Sequence, residues 1–318
     1  MRAIRRVAPA LLLAVLAVVV SAGPAAAHGL GGAGPTNYQT RVHSISPAVR
    51  GLVVRPVDLG EHLELRNGTD EDVVVIGYRG GPRLTAAPGE TVRWHDHRAH
   101  WMGTSDPPVV RDDHSTSHVV QRFDIELRVG DGTTTVHGDV IWIPPPSGVP
   151  WLLGSLALAL LVTGLSRTRQ WRIVLASALG IAVVAEVVHL AGSWTATTAS
   201  FASKLGTSIY SFGGIAFGVV ALFLLVRRRD PYDATPAALL AGLVISLTGG
   251  LADLPSFARS QLESTLPDSV TRTAIMLTLG LGAGVAVASA LRLRRPEARR
   301  PRTPGRRPRP PARTPVTS

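Results

Sequence analysis

The chain has 318 residues, 45% of them hydrophobic, no cysteine, and a formal charge of +11. That length leaves room for two domains, and the missing cysteine excludes disulfides and thiolate metal sites. The positive charge does not point to nucleic acid, because it is concentrated at one end: from Leu291 onward stand ten arginines against one glutamate.

The chain opens with "MRAIRRVAPALLLAVLAVVVSAGPAAA", a basic start, an apolar run and a small-residue end. Ala25 and Ala27 fit the A-x-A pattern of signal peptidase, so residues 1–27 are expected to be a signal peptide cut just before His28. The flexible "GLGGAGPTN" follows His28.

From about Tyr38 to Ile143 the pattern is short, alternating and β-branched. Candidate strands are "GLVVRPV", "HLELRN", "DVVVIGY", "ETVRWH", "HVVQRFDIELRV" and "TTTVHGDVIWI", separated by turn signals such as "RGGP", "APGE" and "GDGT". Seven or eight short strands in about 110 residues predict an antiparallel β-sandwich. Pro144 to Pro146 end it.

Five apolar stretches follow, at about 149–165, 173–194, 209–226, 237–254 and 273–291. Each is near the roughly 20 residues that cross a bilayer, which predicts an all-α, five-helix transmembrane domain over 148–292. The connections "SRTRQWR" and "RRRDPYD" and the terminal segment carry the arginines, whereas "TATTASFASKLGT" and "PSFARSQLESTLPDS" carry few cations. The positive-inside rule therefore places the arginine loops and the C-terminus in the cytoplasm and the β-domain outside a plasma membrane. The signal peptide predicts the same sidedness. The Pro/Arg-rich tail, 293–318, offers no core and is expected to be disordered next to anionic lipid.

Nine of the ten histidines lie between His28 and His137. His43, His62, His114, His118 and His137 are scattered and read as ordinary surface or strand histidines. "RWHDHRAHWM" is different, because it holds His95, His97 and His100 with Met102. If "ETVRWHDH" is a strand, His95 and His97 point to one face and present two imidazoles together, a donor pair suited to Cu(II), Zn(II) or Ni(II). His100 and Met102 stand just beyond as supporting ligands, and Asp96 points the other way. A cleaved His28 would add an α-amine and an imidazole, giving four nitrogens suited to tetragonal Cu(II), with zinc as the alternative.

"AHG" at the processed terminus, followed about seventy residues later by "RWHDH", resembles the N-terminal copper-binding β-domain of the particulate methane monooxygenase family. In that family the mature copper-binding chain begins with a histidine, and a W-H-x-H element in a cupredoxin-like domain completes a copper site. The resemblance implies a cupredoxin-like domain over 28–147, with ligands at His28, His95 and His97 in the element Trp94-His95-Asp96-His97. The chain departs from the family in lacking a second cupredoxin-like domain after the spans and in having more spans, so methane oxidation is not implied. The architecture is also similar to bacterial copper-resistance pairs, in which an N-terminal-histidine copper domain serves a multi-span membrane protein.

In the membrane half, "VVAEVVHLAGSW" puts Glu186 and His189 three apart on one helix face, in the outward half of the second span, and Asp253 near the outer end of the fourth. Intramembrane ionisable groups usually have a job, so these three form a candidate polar vestibule for a metal ion or a proton. Neither a phosphate-binding glycine loop nor a G-x-S-x-G element is present, and no enzymatic activity is expected. The leading expectation is a membrane-anchored copper-binding protein that acquires, buffers or delivers copper, handing it to a copper-accepting protein. A copper importer and a metal-free structural or sensory membrane protein are the alternatives.

Overall fold

The computed structural model describes residues 34–227 and 231–294. The expected signal peptide, His28 and the arginine-rich segment beyond Arg294 lie outside the described residues.

The N-terminal half is antiparallel β. Its strands are β1 (Tyr38–Ser46), β2 (Leu52–Val57), β3 (His62–Asn67), β4 (Val73–Ile76), β5 (Pro82–Ala86), β6 (Thr91–Trp94), β7 (His118–Val129) and β8 (Gly132–Trp142), with a short helix α1 (Pro108–Asp112) before β7. They form a five-stranded sheet in the order β1-β8-β7-β4-β5 and a three-stranded sheet in the order β2-β3-β6. Alternation drives the pairing: in β7, Phe123, Ile125 and Leu127 are buried while Asp124, Glu126 and Arg128 between them are exposed. These side chains share one core with Leu63 and Leu65 of β3, Val73 and Val75 of β4, and Val136 and Val140 of β8. A two-residue turn closes β7 onto β8, pairing Val129 with Gly132 across Gly130 at φ 53°, the left-handed conformation that such hairpins require. β1 and β5, which the candidate strands do not include, are both edge strands.

The C-terminal half is helical: α2 (Val149–Leu165), α3 (Trp171–Ala196), α4 (Phe201–Thr207), α5 (Ile209–Arg227), α6 (Pro231–Ile245) and α7 (Asp268–Arg294). Among the described residues four helical segments are long and apolar enough to cross a membrane, Trp171–Ala196, Ile209–Arg227, Ala234–Leu251 and Asp268–Arg294. The first of the five apolar stretches forms α2, an apolar helix of 17 residues. The sorting of side chains fits a lipid solvent. Leu152, Leu156 and Leu160 of α2, Ile173, Ile181 and Val184 of α3, and Val219, Val220 and Phe223 of α5 are exposed, while the helices meet through small residues. Gly242 and Gly282 show why: a Cβ on Gly242 would stand 2.7 Å from the Gly282 carbonyl, so α6 and α7 approach this closely only without side chains there.

Two departures from regular structure matter below. The fourth apolar stretch does not run as one uniform α-helix, because α6 widens into a π-helical segment, Ser246–Leu251. A short 3-10 turn, Leu254–Ala258, then leads to the connection before α7. Between β2 and β3 the 3-10 turn Asp58–Gly60 holds Asp58 and Leu59 at φ 51° and 56°.

The β half sits on the end of the bundle where α3 finishes and α7 begins. Thr36 and Gln261 form a bridge, Ser260 N donates to Asn37 Oδ1 (2.9 Å), and Arg93 Nη1 donates to the Thr198 carbonyl (3.1 Å). The Asp58 carboxylate accepts from Thr198 N (2.8 Å) and Thr198 Oγ1 (2.7 Å). At the far end of the bundle arginines satisfy carbonyls that helix termini leave open. Arg172 donates to the Leu225 carbonyl, and Arg292 donates to the Ser166 carbonyl while its guanidinium lies 3.9 Å from the Trp171 ring centroid.

Candidate functional site

The histidine loop begins where β6 ends. β6 stops at Trp94, one residue short of His95, so His95 and His97 do not occupy i and i+2 of a strand as expected. The cause is Asp96. Its carboxylate accepts from Arg98 N (3.0 Å) and Arg98 Nε (2.9 Å) at one oxygen, and from Arg98 Nη2 (2.9 Å) and Trp94 Nε1 (3.3 Å) at the other. This local turn competes with the β-ladder and replaces it. Burial alone would raise the Asp96 carboxyl, but hydrogen bonds and charge from Arg98 outweigh it and hold it below the usual carboxylate range. Asp96 is buried and committed to Arg98 and the Trp94 indole.

The rest of the loop is pinned from below. Thr40 Oγ1 donates to the buried Ala99 carbonyl (2.6 Å), and Gln121 Nε2 donates to the Arg98 carbonyl (2.6 Å). With Asp96 and Ala99 turned in, His95, His97 and His100 gather on the same side. The His95 ring centroid lies 5.1 Å from that of His97, 5.6 Å from that of His100 and 6.1 Å from that of His62. His95 Nδ1 is 2.7 Å from the Glu61 carbonyl, which can only accept, so Nδ1 is the donor and Nε2 is the ring nitrogen left for a ligand. Burial, then repulsion from His95, lowers His100 below the usual histidine range, with Glu61 pulling the other way and His62 and His97 adding to the lowering. A neutral imidazole is the form that ligates a metal. Met102 lies beyond the cluster with its side chain exposed.

His62 joins this group against the expectation that it is one more ordinary strand histidine. β3 and β6 pair with Leu63 opposite Trp94, so the next pair outward is His62 and His95. Spacing in the sequence could not show this without the strand register. The other histidines stay apart: His43 lies 2.9 Å from Asp139, and His137 2.6 Å from Asp124. His118 Nε2 sits 2.7 Å from the Asp113 carbonyl, and His114 lies 3.4 Å from Asp106. Among the described residues no group of three or more His, Cys, Asp or Glu side chains is arranged to hold a metal ion. The imidazoles are thus neighbours of suitable chemistry and not a closed ligand shell.

The cluster borders the junction with the helices. His62 Nδ1 is 3.3 Å from Asp58 Oδ2, within ion-pair range but without hydrogen-bond geometry. Asp58 and Leu59 hold left-handed backbone that a bulky residue such as leucine rarely adopts, and the turn presents Asp58 to Thr198. Glu263, from the connection before α7, meets the same place. Burial is the main cause that pushes its carboxyl up to about 7; the Thr197 hydroxyl and Lys204 oppose this, while Asp58 and Glu61 reinforce it. Its Oε1 is buried without a hydrogen-bond partner. No sequence signal marks Glu263, because its partners stand some 65 and 200 residues away along the chain.

No protein-family model, curated protein or solved structure matches this chain.

Deeper in the bundle, His189 Nε2 lies 3.1 Å from Asp253 Oδ2, and Glu186 is one helical turn away from His189 on α3. Glu186 is fully buried, and neither carboxyl oxygen has a hydrogen bond of full geometry, although the Ser211 hydroxyl of α5 approaches it. The π-helical segment makes room for the carboxyl: a Cβ on Gly249 would overlap Glu186 Oε2.

Proposed function

We propose that this membrane-embedded chain is anchored in the plasma membrane with its β half outside the cytoplasm, where it binds copper to acquire, buffer or deliver it to a copper-accepting protein. The observation that carries the reading is the set of imidazoles around His95, with the rings of His97, His100 and His62 at centroid distances of 5.1, 5.6 and 6.1 Å from it. The donor chemistry fits. Imidazole suits Cu(II) and Zn(II), the Glu61 carbonyl fixes the His95 tautomer in the way outer partners of ligating histidines do, and His100 is held neutral. His95, His97 and His100 would hold the ion with His62 alongside. The amine and imidazole of a processed His28 would complete the shell that the described residues leave open, and Met102 would serve a reduced ion. Bound there, the metal would supply only an exchangeable cation, since no reaction is assigned to it.

In this reading α2 is a fifth span, the arginines that meet the helix ends at Leu225 and Ser166 mark the cytoplasmic side, and the β half is a cupredoxin-like sandwich. The Trp94-His95-Asp96-His97 element and its resemblance to the copper-binding domain of particulate methane monooxygenase support copper over zinc. The full chain in detergent should give a cupric EPR spectrum with nitrogen couplings that disappears in the double variant His95→Ala, His97→Ala. Failure of the full chain to bind copper or zinc more tightly than micromolar would overturn the reading in favour of a metal-free structural or sensory protein.

An importer is the second reading, favoured by Glu186, His189 and Asp253 within the helices. It expects cellular copper accumulation to fall when all three become alanine. The side chains packed on the other side of Glu186 along α3, Leu175, Leu179, Ala182 and Val183, are buried and apolar, which favours binding over passage.

A further inference from the structure

Glu186, His189 and Asp253 form a stair of exposure. Glu186 is 0% exposed, the His189 side chain 12%, and the Asp253 side chain 36%, so the trio runs from the closed interior to the bundle end that meets the β half. The outer step is a direct contact, and the inner one is a pair of buried groups without hydrogen-bond partners one helical turn apart. Asp253 Oδ2 and His189 Nε2 are 3.1 Å apart, and the other ring nitrogen, Nδ1, is buried with no partner. Glu186 lies three residues before His189, hence on the same helix face.

The innermost step has a built receptacle. An α-helix that widens into a π turn leaves its hydrogen-bond ladder at a cost, and such turns recur at functional sites. Here the widened segment Ser246–Leu251 brings Gly249, the residue type with no Cβ, against the carboxyl oxygens of Glu186. The Gly249 carbonyl is turned away and bound by Thr278 Oγ1 of α7 at 2.7 Å. The charged groups that act on Glu186 are His189 on its own helix and Asp253 after the π segment, and α5 contributes only the Ser211 hydroxyl. Below it lie Leu179, Ala182 and Val183. Among the described residues no lysine or arginine acts on Glu186 to neutralise an ionised carboxylate in a setting where an unpaired charge is costly.

We propose that Glu186 is the blind end of a proton relay that opens toward the β half, a site that takes up one proton from that side and passes none across. A proton on Asp253 Oδ2 moves to His189 Nε2, and the imidazolium releases the Nδ1 proton to a Glu186 carboxyl oxygen. The net change is one proton moved from Asp253 to Glu186, with the imidazole left in its other tautomer, and reverse transfer restores it. The ligand is a proton alone, so the site does not depend on any metal at the histidine cluster.

The test is pH-difference infrared spectroscopy of the full chain in nanodiscs, without added metal. A carbonyl band of a protonated carboxyl should appear on acidification and be absent in Glu186→Gln. Glu186→Asp keeps the carboxyl if the glutamine variant fails to fold, and should move the band without abolishing it. After a pH jump, His189→Gln and Asp253→Asn should retain the band but slow its appearance, on the order of a hundredfold, as expected for loss of a positioned proton carrier. A band that persists unchanged in both Glu186 variants overturns the assignment, and so does an appearance rate indifferent to His189 and Asp253. In sealed proteoliposomes with a trapped pH dye the wild-type chain should show no steady proton flux. A flux that Glu186→Gln abolishes would overturn the blind end.

Discussion

Replacing Glu263 with glutamine tests how the β half is held on the bundle. Glu263 is partly buried at the junction, its carboxyl pushed up to about 7 by that burial and by Asp58 and Glu61, against an ordinary value of 4.5. The docked state therefore binds a proton that the separated or unfolded state releases. Linkage then gives the sign: docking is strongest below about pH 4.5, weakens as pH rises from there to about 7, and levels off above. The rise from 4.5 to about 7 sets a ceiling of about 3 kcal/mol. Solvent reaches part of the group and screens it, so about 1–2 kcal/mol is the expected size.

Glutamine keeps the shape and cannot ionise, so it should leave docking unchanged at pH 4.5 and strengthen it at pH 8. Hydrogen–deuterium exchange of the full chain in detergent reads this directly at Thr198, whose N–H is donated to Asp58 across the junction. The ratio of variant to wild-type exchange at each pH cancels the intrinsic pH dependence of the amide. That ratio should fall by roughly 5–30-fold between pH 4.5 and 8, the equivalent of 1–2 kcal/mol. A ratio that stays constant across that range would show that Glu263 ionises freely and that the junction is not under its control.

Three further perturbations separate the parts of the molecule. Asp58→Asn keeps the shape but removes the charge that accepts from Thr198 N and Oγ1, and loss of such charge-assisted bonds should raise exchange at Thr198 by an amount matching about 1–3 kcal/mol. Gly249→Ala drives a methyl into Glu186 Oε2, so it should lower the thermal stability of the bundle; unchanged melting would mean that the carboxyl is not seated against the π segment. One extra residue retained before His28 blocks the α-amine, and copper affinity should fall by more than the roughly 10–100-fold that loss of an outer supporting contact costs. Unchanged affinity removes His28 from the proposed site.

Much of the fold is legible because regular structure repeats. "HLELRN" and the "FDIELRV" part of "HVVQRFDIELRV" alternate apolar with polar residues, and the two stretches form β3 and β7 without a change of boundary. The apolar stretches form helices for the same reason. β5, by contrast, opens with a proline and buries only Ala86, so the alternation that reveals inner strands is missing from this edge strand. Glu186, His189 and Asp253 are legible as a group because an ionisable residue is conspicuous in an apolar helix.

What the sequence hides lies where a repeat ends. His62 goes unmarked, since it belongs with His95 only through the register of β3 and β6. The strand expected to carry His95 and His97 stops at Trp94, because Asp96 prefers Arg98 and the Trp94 indole to the ladder. Leu59 in left-handed backbone and the π turn at Ser246–Leu251 break local preference in the same way, and neither "VDLGEH" nor "SLTGGL" announces it. Each break costs conformational energy that neighbouring contacts must offset: Thr198 bonds Asp58, Arg98 binds Asp96, and Thr278 holds the Gly249 carbonyl. The three breaks stand next to His62, His95 and Glu186, side chains that carry the proposed chemistry. The π turn gives the Glu186 carboxyl its place against Gly249, and the Asp96 turn sets His97 and His100 around a His95 that the β3–β6 register already brings to His62.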